Sequence, residues 1–107
     1  MPQPIYLLIL AKSYTEAWYN LSKQEQDDLW TKAKAIDDEA GATWHLLCDS
    51  RWADEEMPNW GIIEYPDLEA YQRKVAALEA IDWWRYLSTR TVLGTKAVGI
   101  GLAEFQT

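Results

Sequence analysis

Histidine is the side chain that titrates closest to neutral pH, and the chain has one, at position 45. If residues 42–52 form a strand, alternation along that strand places His45 on one face together with Asp49. A neighbouring carboxylate fixes the tautomer of an imidazole and favours its protonated form. We therefore interpret His45 as a candidate general acid/base and Asp49 as the residue that orients it. The alternative is a structural histidine, hydrogen-bonded within a packed sheet.

Five further side chains are predicted to lie on or near the same face, and their chemistry suits a small-molecule site. Lys12 or Arg51 is suited to bind a carboxylate or enolate of a ligand. Tyr6 is placed to donate a hydrogen bond to a carbonyl, Trp60 to form an apolar wall, and Glu64 to approach the imidazole from a paired strand. In the competing interpretation, the charged members form ion pairs at a subunit interface and take no part in catalysis.

Four predicted strands position these residues. Residues 5–11, IYLLILA, are a continuous apolar run typical of a strand that is buried on both faces. Residues 42–52 and 59–65 predict a hairpin, and residues 95–105 predict the last strand. Between them, residues 81–87 predict a short, separate helical turn.

Two predicted helices have recognisable start signals. Ser22 and Glu25 form an S-x-x-E capping box, which predicts a helix to about Ala40 that Gly41 terminates. Asp67 is a suitable N-cap for the second helix. Each helix has an apolar stripe whose members we expect to be buried. They are Leu29, Trp30, Ala33, Ile36 and Ala40 in the first helix, and Leu68, Tyr71, Val75 and Leu78 in the second.

The element order, βαββαβ, predicts one ferredoxin-like α+β domain over residues 1–107, with a four-stranded antiparallel sheet and two helices on one face. Two helices cover only one face of such a sheet. The other face includes Leu8, Leu10 and Ile62, and soluble monomers rarely expose an apolar patch of that size. We therefore expect a homodimer in which a second copy covers this face and the two sheets enclose a cavity.

The composition argues against several classes of partner. The net charge is −7 and the 10 Lys and Arg residues are scattered, so neither nucleic acid nor a membrane surface is an expected partner. The single cysteine, Cys48, excludes an internal disulfide, fits a cytoplasmic protein, and is predicted to face the helices. The apolar run near the N-terminus lacks a basic flank and is too short to cross a bilayer. We expect no cofactor and no metal, because the sequence contains no phosphate-binding glycine loop and no cluster of metal ligands.

The βαββαβ order, with a sheet that has apolar residues on both faces, resembles the dimeric α+β barrel superfamily. Within it, three segments resemble the darcynin-like proteins, which are small and without a settled activity: W-x-x-L-S at 18–22, DLEAY at 67–71 and W-W-x-x-L at 83–87. The resemblance implies a ligand site in a lumen between helices and sheet, or between sheets. Superfamily members include muconolactone-type isomerases, polyketide cyclases, cofactor-free monooxygenases and haem-degrading enzymes, so the fold implies no single chemistry.

Three functions are consistent with these observations. The leading hypothesis is a cofactor-independent enzyme that performs acid/base chemistry, as a cyclase, isomerase or lyase, on a hydrophobic aromatic or polyketide-like compound. The second is a non-catalytic dimeric module for ligand binding or interaction, whose cavity is filled by side chains. The third is a cofactor-free monooxygenase. An open cavity of ligand size that contains His45 favours the enzymes, and a filled cavity favours the module.

Overall fold

The structure is a computed structural model that describes residues 3–53 and 56–97. Its elements follow the predicted order, with a short helix added after the first strand. The strands are β1 (Ile5–Tyr14), β2 (Thr43–Asp49), β3 (Asn59–Tyr65) and β4 (Leu87–Gly94). The helices are α1 (Glu16–Tyr19), α2 (Lys23–Glu39) and α3 (Leu68–Ala80), and a 3-10 turn spans Trp83–Arg85.

The four strands form one antiparallel sheet in the order β2-β3-β1-β4. This order is the split βαβ arrangement, and the prediction of a ferredoxin-like α+β fold is confirmed. Opposed residues of antiparallel strands share a face, and Leu7, opposite Ile63, packs with Ala40 of the α2 C-terminus. We call this side of the sheet the helix face. The other side, which includes Leu8 and Ile62, is the open face.

Both long helices begin where the sequence predicts. Ser22 Oγ accepts a hydrogen bond from Glu25 N at 3.1 Å, and Glu25 Oε1 accepts one from Ser22 N at 2.9 Å, which completes the capping box. Asp67 caps α3 by accepting a hydrogen bond from Ala70 N at 2.7 Å. Gly41 follows the C-cap of α2 with φ 77°, a left-handed conformation that glycine adopts without strain.

A β-bulge interrupts β2. Trp44 lies opposite Ile63, but the next paired residue of β2 is Leu46, which lies opposite Ile62. His45 is therefore an extra residue in the ladder. Because of it, His45 and Leu46 lie on the same face although they are consecutive in the chain.

The bulge reverses the face of every later residue in β2. Cys48 lies opposite Trp60 on the open face, and Asp49 lies opposite Asn59 on the helix face. The predictions that Cys48 faces the helices and that Asp49 shares a face with His45 are therefore wrong. One inserted residue exchanges the two faces for the remainder of a strand, and strict alternation does not anticipate it.

Gly61 lets β2 approach β3 closely beside the bulge. A Cβ atom at Gly61 would lie 2.8 Å from the backbone oxygen of Leu46 and 3.2 Å from Cδ1 of Leu47. The first of these distances is too short for a carbon atom, so a side chain at this position would push the two strands apart.

The fourth strand of the described residues precedes the segment that the sequence predicts as the last strand. β4 spans Leu87–Gly94, whereas the sequence predicts a strand over 95–105, most of which lies outside the described residues. β4 pairs with β1 along its whole length, and its Thr89 and Thr91 point to the helix face. The alternating β-branched residues Thr89 and Thr91 favour a strand at this position. β4 begins two residues after the 3-10 turn ends at Arg85.

The core lies between the helix face and the helices. Its buried apolar and aromatic residues are Leu7, Ala33, Ala40, Ile63, Tyr65, Ala70, Leu78, Trp83 and Leu87. Two members of the predicted stripes are exposed, since Trp30 and Leu68 keep 42% and 48% of their surface accessible to solvent. Trp30 borders a cavity, and the inward positions of α3 are taken by Ala70 and Lys74 instead of Leu68.

Candidate functional site

A cavity of about 380 Å³ lies between the helix face of the sheet and the helices α2 and α3. A volume of this size falls within the range of small-molecule sites. Aliphatic and aromatic side chains form most of its wall, which suits a flat, apolar ligand. They include Leu7, Ile9, Trp30, Ala33, Trp44, Ile63, Val75, Leu78, Trp83 and Leu87.

Three polar side chains, Asp37, Tyr65 and Lys74, form a buried hydrogen-bonded cluster at this cavity, which we call the buried triad. Lys74 Nζ donates a hydrogen bond to Tyr65 Oη at 2.7 Å, and Tyr65 Oη donates one to Asp37 Oδ1 at 2.8 Å. Lys74 Nζ lies 3.6 Å from Asp37 Oδ1, within ion-pair range but too far for a hydrogen bond. Asp37 and Lys74 both line the cavity.

Burial controls the protonation of the triad. The side chains of Lys74 and Asp37 are only 9% and 8% exposed. Burial lowers the pKa of Lys74, and the Asp37 carboxylate offsets part of that effect. Burial also raises the pKa of Tyr65 well above its ordinary value, and the charge of Asp37 acts in the same direction. Tyr65 therefore keeps its proton and links the cation to the carboxylate.

The spacing of the helical stripes contains a signal for the triad. Asp37 follows Ala33 by four residues and Lys74 precedes Leu78 by four, so each charge lies on the inward side of its helix. A charge on a buried stripe is costly unless it is paired. One such charge of each sign, on two helices that cover the same sheet face, indicates a buried pair. A search for apolar stripes alone does not find it.

Connected aromatic rings lie beside the cavity. The rings of Trp30 and Trp83, which both line it, meet edge to face with centroids 5.0 Å apart. Trp30 Nε1 donates a hydrogen bond to Tyr14 Oη at 3.1 Å, and the Tyr14 ring stacks on Trp18 with centroids 4.5 Å apart. This packing holds the indoles of Trp30 and Trp83 in place, so a flat ligand meets a preformed aromatic wall.

The open face carries a second polar cluster, formed by Tyr6, His45 and Glu64. His45 Nε2 and Glu64 Oε1 are 2.7 Å apart, and the ring centroids of His45 and Tyr6 are 6.3 Å apart. Tyr6 lies opposite Glu64 in the sheet, so the three side chains share this face. The structure thus places the imidazole within hydrogen-bonding distance of a carboxylate, and that carboxylate is Glu64.

Asp49, which is predicted to orient His45, is bonded to Arg51 instead. Arg51 donates from Nε at 3.0 Å and from Nη2 at 2.8 Å, and its backbone N–H adds a hydrogen bond of 3.0 Å. The Arg51 side chain, followed by its backbone N–H, lowers the pKa of Asp49 to about 2. The expected contact between Asp49 and His45 is wrong because the bulge places Asp49 on the helix face.

Lys12 and Trp60, the other predicted ligand-binding residues, do not join either of these clusters through the contacts that the structure describes. Lys12 is exposed, at a register shift between Ala11 and Ser13 of β1. Trp60 lies on the open face opposite Leu10. The contacts join the predicted site residues into two separate clusters, Tyr6 with His45 and Glu64, and Asp49 with Arg51.

Two kinds of functional element are absent from residues 3–53 and 56–97. In these ranges no group of three or more His, Cys, Asp or Glu side chains is placed to hold a metal ion. No helix there combines the length and the apolar character that a membrane crossing requires. Cys48 is a free thiol of intermediate exposure.

Comparisons with known proteins bear on the fold. The chain matches no protein-family model and no curated protein. It is similar in structure to RPA0582, a protein of unknown function from Rhodopseudomonas palustris, with a TM-score of 0.65 and 12% identity, covering 92% of this chain and 86% of that one. It is also similar to SnoaB, a cofactor-independent oxygenase from Streptomyces nogalater, with a TM-score of 0.53 and 12% identity, covering 92% of this chain and 98% of that one. A hypothetical protein from Arabidopsis thaliana has a TM-score of 0.58 and 11% identity, with 91% of each chain covered.

These likenesses fit the superfamily that the sequence resembles. What these proteins share with this chain is the ferredoxin-like α+β fold, a four-stranded antiparallel sheet with helices packed on it. At identities this low, the likeness shows the fold and neither an activity nor a ligand. The closer resemblance to the darcynin-like proteins stays a prediction.

Proposed function

We propose that this chain binds a flat, hydrophobic molecule of an aromatic or polyketide-like kind in the cavity between sheet and helices, and acts on it as a cofactor-independent acid/base enzyme. The cavity carries the proposal, because about 380 Å³ of space with an aromatic wall adjoins a buried triad. Cyclisation, isomerisation and elimination each require the transfer of a proton, which side chains supply directly. SnoaB, which has a similar fold, is a cofactor-independent oxygenase, and this supports cofactor-independent chemistry on such a fold.

The triad supplies the polar chemistry of the proposed site. Lys74 donates a hydrogen bond to a carbonyl of the ligand and stabilises negative charge as it develops on that oxygen. Asp37, connected to Lys74 through Tyr65, holds the ammonium in place and balances its charge. An apolar wall strengthens this electrostatic effect, because it excludes water from the reacting atoms.

A thermal-shift screen with flat aromatic and polyketide-like compounds tests the proposal. A compound that binds only the folded state raises the melting temperature. Thr91 lines the cavity from β4 and is exposed, so Thr91→Trp places an indole in the ligand space without disturbing the core. We expect the ligand-induced shift to disappear in Thr91→Trp and to persist in Thr91→Val, the matched control. A shift that survives Thr91→Trp unchanged would place the ligand elsewhere.

A second candidate site is the cluster on the open face, since the His45–Glu64 contact of 2.7 Å is the geometry of an oriented acid/base. There His45 transfers the proton, Glu64 orients it, and Tyr6 binds a ligand oxygen. His45→Gln is then expected to leave the melting temperature nearly unchanged and to lower the rate on a ligand found in the screen by about two orders of magnitude or more. An unchanged rate would remove this candidate.

We further propose that the protein is a homodimer whose open faces meet. Half-buried or exposed apolar side chains cover this face on three of the strands, among them Leu8, Trp60 and Leu46. A second copy of the same sheet matches such a face in shape and polarity, and isologous contacts close a dimer. The free Cys48 and the scattered basic residues support a cytoplasmic location without a nucleic-acid or membrane partner.

A further inference from the structure

We infer that the ligand of this cavity carries a phenol or enol hydroxyl that loses its proton on binding, so that its oxygen lies as an anion against the ammonium of Lys74. This inference rests on the proposed function, because it names the chemical class of molecule that the cavity takes. It concerns the bound ground state of the ligand, before any reaction.

The coordination of Lys74 points to an anionic oxygen. Among the contacts of the described residues, its ammonium makes one hydrogen bond, to Tyr65 Oη, although an ammonium has three N–H donors. The carboxylate of Asp37 lies beyond hydrogen-bonding distance, at 3.6 Å. Lys74 also lines the cavity, so a ligand oxygen entering there meets a buried cation that is not fully coordinated.

The protein groups around the ammonium do not take its proton. Burial holds the Tyr65 hydroxyl in its protonated form, and that hydroxyl already donates to Asp37 Oδ1. The rings of Tyr65 and Tyr71 lie 5.0 and 5.8 Å from Nζ and favour a cation at this place. Together with the Asp37 carboxylate, these rings oppose the burial that lowers the pKa of Lys74, and a ligand hydroxyl beside the ammonium becomes more acidic.

The other side chains of the cavity wall favour a phenolate or enolate over other anionic ligands. Lys34, the other cation of the wall, is mostly exposed and forms an ion pair of 3.0 Å with Asp38. Among the described lining residues, Lys74 is therefore the buried cation. One ammonium with aromatic neighbours suits a single delocalised oxyanion on a flat apolar body. Carboxylate and phosphate ligands need more donors, and burying either in this wall is costly.

4-Nitrophenol is a direct probe, because its anion absorbs visible light and its neutral form does not. It is titrated with the protein at a pH below its solution pKa, where it is mostly neutral in buffer. Binding is expected to increase the absorbance of the phenolate band and to release protons to the solvent. The apparent pKa of the probe is expected to fall by about one unit, which is a tenfold change in its ionisation constant. 4-Nitroanisole, which has no ionisable hydroxyl, is the matched ligand control and is expected to bind more weakly.

The control variant replaces all three side chains of the buried triad at once. The combined variant Asp37→Leu, Tyr65→Phe, Lys74→Met keeps the wall apolar without an unpaired charge, and it is expected to bind 4-nitroanisole but to lose the phenolate signal. A bound probe with the spectrum of the neutral phenol overturns the inference and leaves ligand binding in the cavity standing. If neither probe binds the parent protein, the inference and the proposed function both fail.

Discussion

Lys74 connects the folding of this chain to its proposed chemistry. A long cationic side chain on an inward helical position is destabilising by itself, and it is tolerated here because Tyr65 and Asp37 satisfy it. The same burial that makes the ammonium costly also keeps water from weakening its field. One residue therefore carries both a buried charge that the fold must satisfy and the cationic group of the proposed site.

Asp49 provides a residue-scale test of the local geometry. Its pKa of about 2 lies below its ordinary value of 3.8, so the folded state favours the charged carboxylate. The resulting contribution to stability is present above the ordinary value and is lost as the pH falls toward 2. An NMR titration of the Asp49 carboxyl is expected to give a midpoint near 2, and Arg51→Gln is expected to return the midpoint toward 3.8.

The matched control for that titration is Arg73→Gln. Arg73 is also an exposed arginine beside a carboxylate, at 3.7 Å from Glu69, but it lies on α3 and does not touch Asp49. Its removal is expected to leave the Asp49 midpoint unchanged. A normal midpoint for Asp49 in the parent protein would show that the bidentate contact with Arg51 does not persist in solution.

At the scale of secondary-structure elements, the triad joins α2, β3 and α3. Lys74→Met leaves the Asp37 carboxylate buried without its cation, and we expect a loss of about 3–5 kcal/mol in the free energy of unfolding. The combined variant Asp37→Leu, Tyr65→Phe, Lys74→Met is expected to recover most of that loss, because no buried polar group is left unpaired. Urea unfolding of both proteins measures the difference. A single variant as stable as the parent would contradict the buried pair.

The start of α2 is a second element-scale test. Ser22→Ala removes the acceptor for Glu25 N, and we expect it to cost about 1 kcal/mol in the free energy of unfolding. Ser22→Asp retains an acceptor at the same position and is expected to stay within a few tenths of a kcal/mol of the parent. Chemical denaturation of the two variants separates loss of the cap from loss of the serine itself.

Local signals predicted the helices well and the strands less well. The capping box at Ser22 and the N-cap at Asp67 act within a few residues, so the sequence contains all that is needed to locate them. β4 and the bulge at His45 depend on pairing between distant segments. Such pairing is not visible in the alternation of one strand, and the predicted contact between His45 and Asp49 was wrong for that reason.

The candidate site was predictable only in part for a similar reason. The sequence indicated a histidine with a carboxylate on the open face, and Tyr6 and Glu64 do lie there beside His45. The buried triad escaped prediction because Asp37 and Lys74 lie on different helices, and each resembles a solvated charge within its own segment. Only the packing of both helices on one sheet brings the two charges together.

For the whole molecule, the decisive measurement is its mass in solution. Light scattering at micromolar concentration is expected to give about twice the mass of the chain, because the open face needs a cover. Ile62→Lys places a charge in the middle of that face and is expected to yield a monomer. Leu68→Lys, at an exposed leucine of α3, is the control that leaves the dimer intact. A folded parent protein with the mass of one chain would rule out the proposed dimer.

The bulge in β2 also bears on how the protein behaves when it is concentrated. In the described part of the chain β2 is an outer strand, and Leu46 and Leu47 are 47% and 67% exposed. An outer strand with exposed leucines is a template on which another chain can add a strand and start a fibril. The extra residue breaks the regular repeat of N–H and C=O groups along this edge, so a straight incoming strand cannot match it throughout. The irregularity that brings His45 to Glu64 therefore makes this edge a poorer template for the addition of another strand.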